Sequence, residues 1–332
     1  MTYRITLIPG DGIGPEVTGA TCRILEAAGA PVEWERVVAG AQAAEEQGNP
    51  MPDAVLDSIR NNRVGLKGPL ATPKGKGYRS ANVTLRQKLQ LFTGWRPVNS
   101  LPGVKTRYEG VDLVVLRENT QGLYSGIEHE VTPGTIVSLK VSSRAAAERI
   151  ARWAFDYACN AGRRRISVCH KKSVLPLADG AFTDEFFRVG QEYPFIEQES
   201  VSLDDVAMGL THDPSHFDVL LMQNLYGDII SDLCAGLVGG LGVVPGANVG
   251  DRVAVFEAVH GTAPDIAGKG LANPLAVLLS GCLMMDYVGE RDVAERVRQA
   301  ANDVLEEGKH VTRDLGGQAD TATFTEAVID KL

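Results

Sequence analysis

The sequence predicts an α/β protein, and three observations carry that prediction. Short β-rich runs alternate along the chain with stretches of helical character. Several apolar runs stop at residues able to do chemistry, as strands of α/β folds do at their carboxyl ends. The length of 332 residues suffices for one large core or, in better accord with ordinary domain sizes, two smaller lobes.

The elements follow in order. A strand covers residues 3–9, and a helix runs from about 15 to 28. Pro15 suits a first helical turn there and Gly29 a C-cap. Further strands are expected at 32–38, 64–66, 111–116, 165–168, 219–222 and 253–256. Helices are expected at 142–160, 181–192, 225–238, 274–288 and 292–307. The segment 126–143, GIEHEVTPGTIVSLKVSS, breaks this alternation with two strands around a turn at Pro133-Gly134. Such an extruded hairpin is either a flap over a lobe or part of a subunit interface. The glycine-rich stretch 237–250 reads as a flexible return to the first lobe.

Composition narrows the function. The chain has 42 acidic and 33 basic side chains, a formal net charge of −9, which argues against a nucleic-acid or anionic-membrane binder, since either needs a basic face, and leaves room for a cationic pocket. Hydrophobic content of 44% with 23% charged residues excludes wholesale disorder. No stretch approaches the roughly 20 apolar residues that span a bilayer. The opening MTYRITLIPGDG meets glycine and aspartate too soon for a secretory leader. Cys22, Cys159, Cys169, Cys234 and Cys282 are scattered without a CxxC pair, fitting neither a disulfide framework nor a thiolate zinc site. They read as small buried residues of a protein in a reducing, cytoplasmic compartment.

The motifs narrow it further. GDGIG at 10–14 lies between a strand and a helix, but Pro15 stands where the dinucleotide fingerprint needs its third glycine. A tight turn is the better reading than pyrophosphate binding, so no Rossmann domain with that fingerprint is expected. GPLATP at 68–73 leads to Ser80, Asn82 and Arg86. On a helix the last two share a face, with Ser80 near the amino end. Helix N-termini and hydroxyls bind carboxylates, and arginine forks bind them bidentately. With Arg96 and Arg117 this set suits a substrate carrying two or three carboxylates. Surface charge is the plainer explanation of any one arginine, but Arg117 ends an apolar strand.

Tyr124 follows Arg117 by seven residues, a position for packing or for chemistry. Lys171 ends the strand RRRISVCHK, where a lysine is simply exposed or, once desolvated, a base. Asp228 and Asp232 share one helical face four residues apart. Their repulsion is relieved by a divalent cation, and oxygen-only ligands suit Mg²⁺ or Mn²⁺. A helix-start preference explains Asp228 more easily than Asp232. FEAVHGTAPDIAGKGLANP, residues 256–274, follows a strand and offers backbone N–H groups to phosphate, or is an ordinary loop with a capping aspartate. Asp265 would bond a ribose diol and repel a 2′-phosphate, favouring NAD over NADP.

Together, GDGIGPE, SANVTLR, ENTQGLYSGIEH, HKKS, NLYGDIISDLCAGLVGGLG and HGTAPDIAGKGLANP resemble one family in that family's order. It is the metal-dependent β-decarboxylating dehydrogenases, which act on isocitrate, isopropylmalate, homoisocitrate and tartrate. The chain is most similar to the NAD-dependent isocitrate branch. Ser80-x-Asn82-x-x-x-Arg86 matches its substrate pattern, and Asp265-Ile266 matches its cofactor pair, where NADP-dependent relatives carry lysine and tyrosine.

The resemblance implies a two-lobe, three-layer αβα fold of the isopropylmalate/isocitrate dehydrogenase type. A discontinuous large domain, 1–97 plus 246–332, would carry the cofactor loops. A small domain, 98–245, would carry the metal site, the dimer interface and a protruding β clasp at about 126–143. The resemblance further implies a homodimer, or a larger assembly built on it, with shared active sites. It assigns Ser80, Asn82, Arg86, Arg96 and Arg117 to a tricarboxylate substrate, and Tyr124 and Lys171 to acid–base chemistry, with Lys171 donated by the partner. It assigns Asp228, Asp232 and the partner's Asp204 to Mg²⁺ or Mn²⁺. Thr72, Glu257, His260, Gly261, Ala263, Asp265, Ile266 and Asn273 are assigned to NAD.

The activity so implied is oxidative decarboxylation of isocitrate to 2-oxoglutarate. A homoisocitrate or broad-specificity 3-substituted malate dehydrogenase, or a silent regulatory subunit, are the alternatives. Two positions depart from the family pattern: Ser173 replaces its usual asparagine and Gln121 its usual glutamate.

Overall fold

The first apolar run forms β1 (Tyr3–Ile8), and α1 (Gly14–Ala27) follows with Pro15 in its first turn. The turn between them has a steric origin. Gly10 and Gly12 have φ of 83° and 61°, and a Cβ on Gly12 would lie 2.0 Å from the Thr262 carbonyl oxygen. These glycines let the chain pass close to its own later loop.

A computed structural model describes residues 2–73, 75 and 77–332. After α1 come β2 (Val32–Arg36), α2 (Ala41–Gln47), α3 (Asp53–Asn62), β3 (Val64–Lys67) and α4 (Ala81–Lys88). Next are β4 (Thr93–Asn99), β5 (Asp112–Glu118), β6 (Gly122–Thr132), β7 (Thr135–Val141), α5 (Arg144–Asn160) and β8 (Arg165–His170). Then follow α6 (Ala178–Gly190), β9 (Glu197–Ser202), α7 (Leu203–His212), β10 (Val219–Met222) and α8 (Asn224–Leu237). The chain closes with β11 (Pro245–Val249), β12 (Ala254–Ala258), α9 (Leu275–Val288), α10 (Arg291–Glu307) and α11 (Thr321–Ile329).

The chain divides into two compact units, residues 1–91, 99–109 and 235–332, and residues 92–98 and 110–234. In the first, the strand order is β2-β1-β3-β12-β11, parallel except for β11 against β12. Helices cover both of its faces. Val255 of β12 packs into a cluster with Val55, Leu56 and Ile59 of α3 and with Leu85 of α4. The next residue, Phe256, points the other way and meets Tyr287 of α9 edge-on at 5.6 Å. Helix α9 is apolar on nearly every side and almost wholly buried, as a central layer demands.

In the second unit the order is β4-β5-β10-β8-β9. Alternate residues Val114, Leu116, Ile166, Val168, Val219 and Leu221 pack against Ile150, Ala154 and Phe155 of α5 and Phe186 of α6. Strands β6 and β7 form a separate two-stranded sheet turning at Pro133-Gly134.

Three readings of the sequence need correction. The stretch 237–250 is no flexible return, because Pro245–Val249 is a largely buried strand laddered to β12. Cys159 is exposed, while the other four cysteines are buried and all five are free. Finally, β4, β9, β11, α2, α3, α7 and α11 were not anticipated. Strand β9 (EQESVS) shows why: it lies at a sheet edge with no residue fully buried, so selection for core packing leaves no apolar alternation. Among the described residues no helix is long and apolar enough to cross a membrane.

Candidate active site

In the second unit, Arg117 lies near the end of β5 and is buried. Its Nε and Nη2 both donate to Asn224 Oδ1, at 3.0 and 2.7 Å, and Nη1 pairs with Asp228. Gly227 makes room for it, since a Cβ there would lie 2.6 Å from Arg117 Cβ and Cγ. The guanidinium lies 5.0 Å from the centre of the Tyr124 ring, and the Tyr124 hydroxyl donates to the other oxygen of Asp228. One aspartate thus gathers an arginine and a tyrosine. Burial first, and then the Asp228 bond, hold the Tyr124 hydroxyl above its ordinary pKa, which keeps it protonated as a proton donor must be.

Asp232 stands one helical turn beyond Asp228. Partial desolvation and then the Asp228 charge push its carboxyl up, while Arg96 and Arg117 pull it down. This is the repulsion that the four-residue spacing predicts. A pair of hard oxygen donors under such strain fits Mg²⁺ or Mn²⁺. Among the described residues no three His, Cys, Asp or Glu side chains group closely enough to hold a metal ion. Arg96 is buried on β4.

A second constellation in this unit joins Lys171, just past β8, to Asp204 at the start of α7. The Lys171 ammonium holds the Asp204 carboxyl below its usual range. Ser173 is exposed in the turn that follows Lys171. Gln121 uses both ends of its amide on Ser143, donating to Oγ at 2.8 Å and accepting from the backbone N–H at 2.9 Å. That residue caps α5, which gives the glutamine a structural reason to be there.

In the first unit, Ser80 is the N-cap of α4, its Oγ accepting from the Val83 N–H at 3.4 Å. Thr72 Oγ1 accepts from the Ala81 N–H at 3.0 Å. Asn82 and Arg86 lie one turn apart on this helix, and Asn82 Oδ1 is buried without a hydrogen-bond partner. Arg86 donates to Glu257 Oε1 at 3.0 Å; Glu257 also pairs with Lys67 and accepts from Asn248 Nδ2 at 2.6 Å. Lys67 (1% exposed) and Asn248 were missed in the sequence. Lys67 ends the apolar strand VGLK, the same signal that singled out Arg117.

The loop after β12 carries the remaining candidates. Ala263 has a φ of 38°, the left-handed backbone that marks a specialised turn. His260 Nδ1 lies 3.0 Å from the Gly261 carbonyl, which can only accept, so Nδ1 carries the proton and Nε2 is left as an acceptor. Nε2 is buried without a partner, and burial holds the imidazole below its ordinary pKa. A buried acceptor awaiting a hydroxyl fits a ribose-bearing cofactor. His260, Ile266 and Asn273 line one cleft of about 310 Å³ with Ile13 and Asp314. Asn273 Nδ2 donates to Asp314 Oδ2 at 2.9 Å. Gly261 and Asp265 are exposed in the same loop, and Lys269 donates to the Asp265 carbonyl at 2.7 Å.

A family model described as isocitrate/isopropylmalate dehydrogenase matches residues 4–331. A mitochondrial NAD isocitrate dehydrogenase catalytic subunit of Arabidopsis thaliana is 50% identical over 328 residues, 98% of this chain and 88% of that protein. A probable mitochondrial NAD isocitrate dehydrogenase subunit alpha of Drosophila melanogaster is 47% identical over 331 residues, 100% of this chain and 88% of that one. The crystal structure of isocitrate dehydrogenase from Methylococcus capsulatus matches with a TM-score of 0.96 at 47% identity, covering 99% of each chain. The mitochondrial relatives overturn the expectation of a cytoplasmic protein. Free thiols indicate only a reducing interior, which does not separate one such compartment from another.

Proposed function

Because the chain belongs to the isocitrate/isopropylmalate dehydrogenase family, we propose that it oxidatively decarboxylates isocitrate to 2-oxoglutarate and CO₂ with reduction of NAD. The observation that carries this reading is 47–50% identity, over nearly the whole chain, to enzymes named for that reaction. Ser80, Asn82, Arg86, Arg96 and Arg117 bind the substrate carboxylates. Lys171 takes the proton from the C2 hydroxyl, and Tyr124 returns a proton to the carbon that CO₂ has left. Asp228, Asp232 and Asp204 hold Mg²⁺ or Mn²⁺, which when bound supplies Lewis acidity to a hydroxy-acid substrate. Thr72, Glu257, His260, Gly261, Ala263, Asp265, Ile266 and Asn273 line the NAD site, with His260 Nε2 accepting from a ribose hydroxyl. NAD supplies the hydride acceptor.

In this reading the cofactor loops belong to the discontinuous large domain, 1–97 plus 246–332, and the metal site and clasp to 98–245. The working unit is a homodimer in which Lys171 and Asp204 serve the partner's site. One observation supports it: the hairpin β6–β7 exposes apolar Val131 (57%) and Ile136 (68%).

The test is a substrate panel on the purified chain, with NAD and NADP and with each metal. The largest kcat/KM is expected for isocitrate with NAD. Homoisocitrate is the close competitor, since one methylene is worth only about 1–3 kcal/mol of discrimination. A larger kcat/KM with homoisocitrate, isopropylmalate or tartrate overturns the substrate assignment. No turnover with any of the four makes the chain a silent regulatory subunit.

A further inference from the structure

We propose that Asp179, clamped by Lys140 and Tyr226, is the positioning residue of Lys171; the proposal rests on Lys171 acting as the base. Asp179 lies in the first turn of α6 and is only 1% exposed. Its Oδ2 accepts from the backbone N–H of Lys171 at 2.7 Å and from the Tyr226 hydroxyl at 3.1 Å. Its Oδ1 pairs with the Lys140 ammonium, which also reaches the Tyr226 hydroxyl at 3.1 Å and lies 4.4 Å from the centre of that ring.

Four elements therefore meet at one carboxylate: hairpin strand β7 through Lys140, the end of β8 through Lys171, α6 through Asp179 itself, and α8 through Tyr226.

The chemistry of the cluster argues for positioning rather than stability. A favourable helix start asks only for an acid near the first turn, and an exposed one would serve. A buried ion pair recovers little more than its desolvation cost, so an apolar group would stabilise the same place as well. What the pair adds is direction. Lys171 is the first residue past β8, where the chain turns away from the sheet. Its N–H is bonded instead to Asp179, which fixes the backbone of the residue whose side chain must meet a reacting hydroxyl. The same carboxylate grips Tyr226 on the helix that presents Asp228, so Lys171 and that helix share one anchor. Through Lys140 the hairpin is tied to it as well.

The test compares Asp179→Asn, Lys140→Met and the two combined in the full-length chain. The amide oxygen of Asp179→Asn can still accept from Lys171, but its NH₂ then faces the Lys140 ammonium. Lys140→Met strands the carboxylate without its cation, whereas the double substitution leaves a neutral acceptor with no opposing charge. Each single change is expected to lower kcat by about 10²-fold, the effect of a misplacement of about 1 Å. KM for isocitrate should stay within about threefold, and the double variant should exceed both singles in kcat.

In a second measurement, amide hydrogen exchange at Lys171 is expected to be slow in the parent chain and about tenfold or more faster in Asp179→Ala. An unchanged kcat in Asp179→Asn, a loss that only follows a falling folded fraction in thermal melts, or unaltered exchange at Lys171 overturns the proposal. A parent chain that does not turn over isocitrate refutes the functional reading instead. The exchange at Lys171, which needs no substrate, then still decides the role of Asp179.

Discussion

Asn224 holds Arg117 through a single oxygen that accepts from both Nε and Nη2, at 3.0 and 2.7 Å. The amide nitrogen of Asn224 donates to the Gln121 carbonyl at 2.9 Å, so the buried side chain links an arginine to the loop that leads to Tyr124. Hydrogen bonds to a charged partner contribute about 1.5–3 kcal/mol. Asn224→Ala is therefore expected to lower kcat/KM for isocitrate by about 10–10²-fold. In the proposed reading Arg117 grips a carboxylate present in both ground and transition states, so the loss should fall mainly on KM. Steady-state kinetics with isocitrate varied checks this; an unchanged KM would remove Asn224 from the substrate site.

The aspartate pair gives a second expectation. The folded-state pKa of Asp232 is raised, so its contribution to stability is full below the unfolded carboxylate pKa and is lost as pH rises through the folded value. At neutral pH, without metal, the pair is a local destabilisation. Asp232→Asn should therefore match or raise the metal-free Tm. Mg²⁺ or Mn²⁺ at about 100 times its Kd should stabilise the parent chain by about 2.7 kcal/mol, and EDTA should reverse this and stop NADH formation. Differential scanning fluorimetry with and without metal reads the effect. A metal-induced Tm rise that survives in Asp232→Asn would place the ion elsewhere.

Much of this site was legible because its residues sit where strands end. Arg117, Lys171 and Glu257 each close or follow an apolar run, and Asp228 and Asp232 show a helical spacing visible without coordinates. The supporting groups were less visible. Asn224, Asn248 and Asp179 act by burial and by bonds to residues far away in sequence, and a lone asparagine or aspartate carries no periodic signal. Lys67 follows the strand expected at 64–66 and so carried the strand-end signal, but its pairing with Glu257 lies 190 residues away in sequence. Edge strand β9 and helix α2 escaped for a related reason: few of their residues face a core, so few are large and apolar.

In the proposed reading cofactor choice turns on two adjacent residues with different surroundings. Ile266 lines the cleft beside His260 and Asn273, whereas Asp265 is exposed next to it. A carboxylate at that place repels a 2′-phosphate and accepts from a ribose diol. Asp265→Lys combined with Ile266→Tyr should lower the ratio of kcat/KM for NAD to that for NADP. Initial rates with each cofactor at saturating isocitrate measure it. If the ratio does not move, selectivity lies outside this pair.

His260 provides the pH dependence. Burial depresses its folded-state pKa below the ordinary 6.5, so the folded chain holds fewer protons than the unfolded one as acid is added. Its contribution to stability is therefore full above the unfolded pKa and is lost as pH falls through the folded value. The neutral imidazole is also the form whose Nε2 can accept from a ribose hydroxyl, and protonation converts that acceptor into a donor. NAD affinity should accordingly weaken as pH falls through the lowered folded-state value, in the acid range below the ordinary histidine pKa. His260→Asn should flatten both the Tm and the NAD affinity across that range. Calorimetric titration with NAD and thermal melts over the same pH series test the two together. A parent chain whose Tm falls through that titration while its NAD affinity stays level would show that His260 does not face the cofactor.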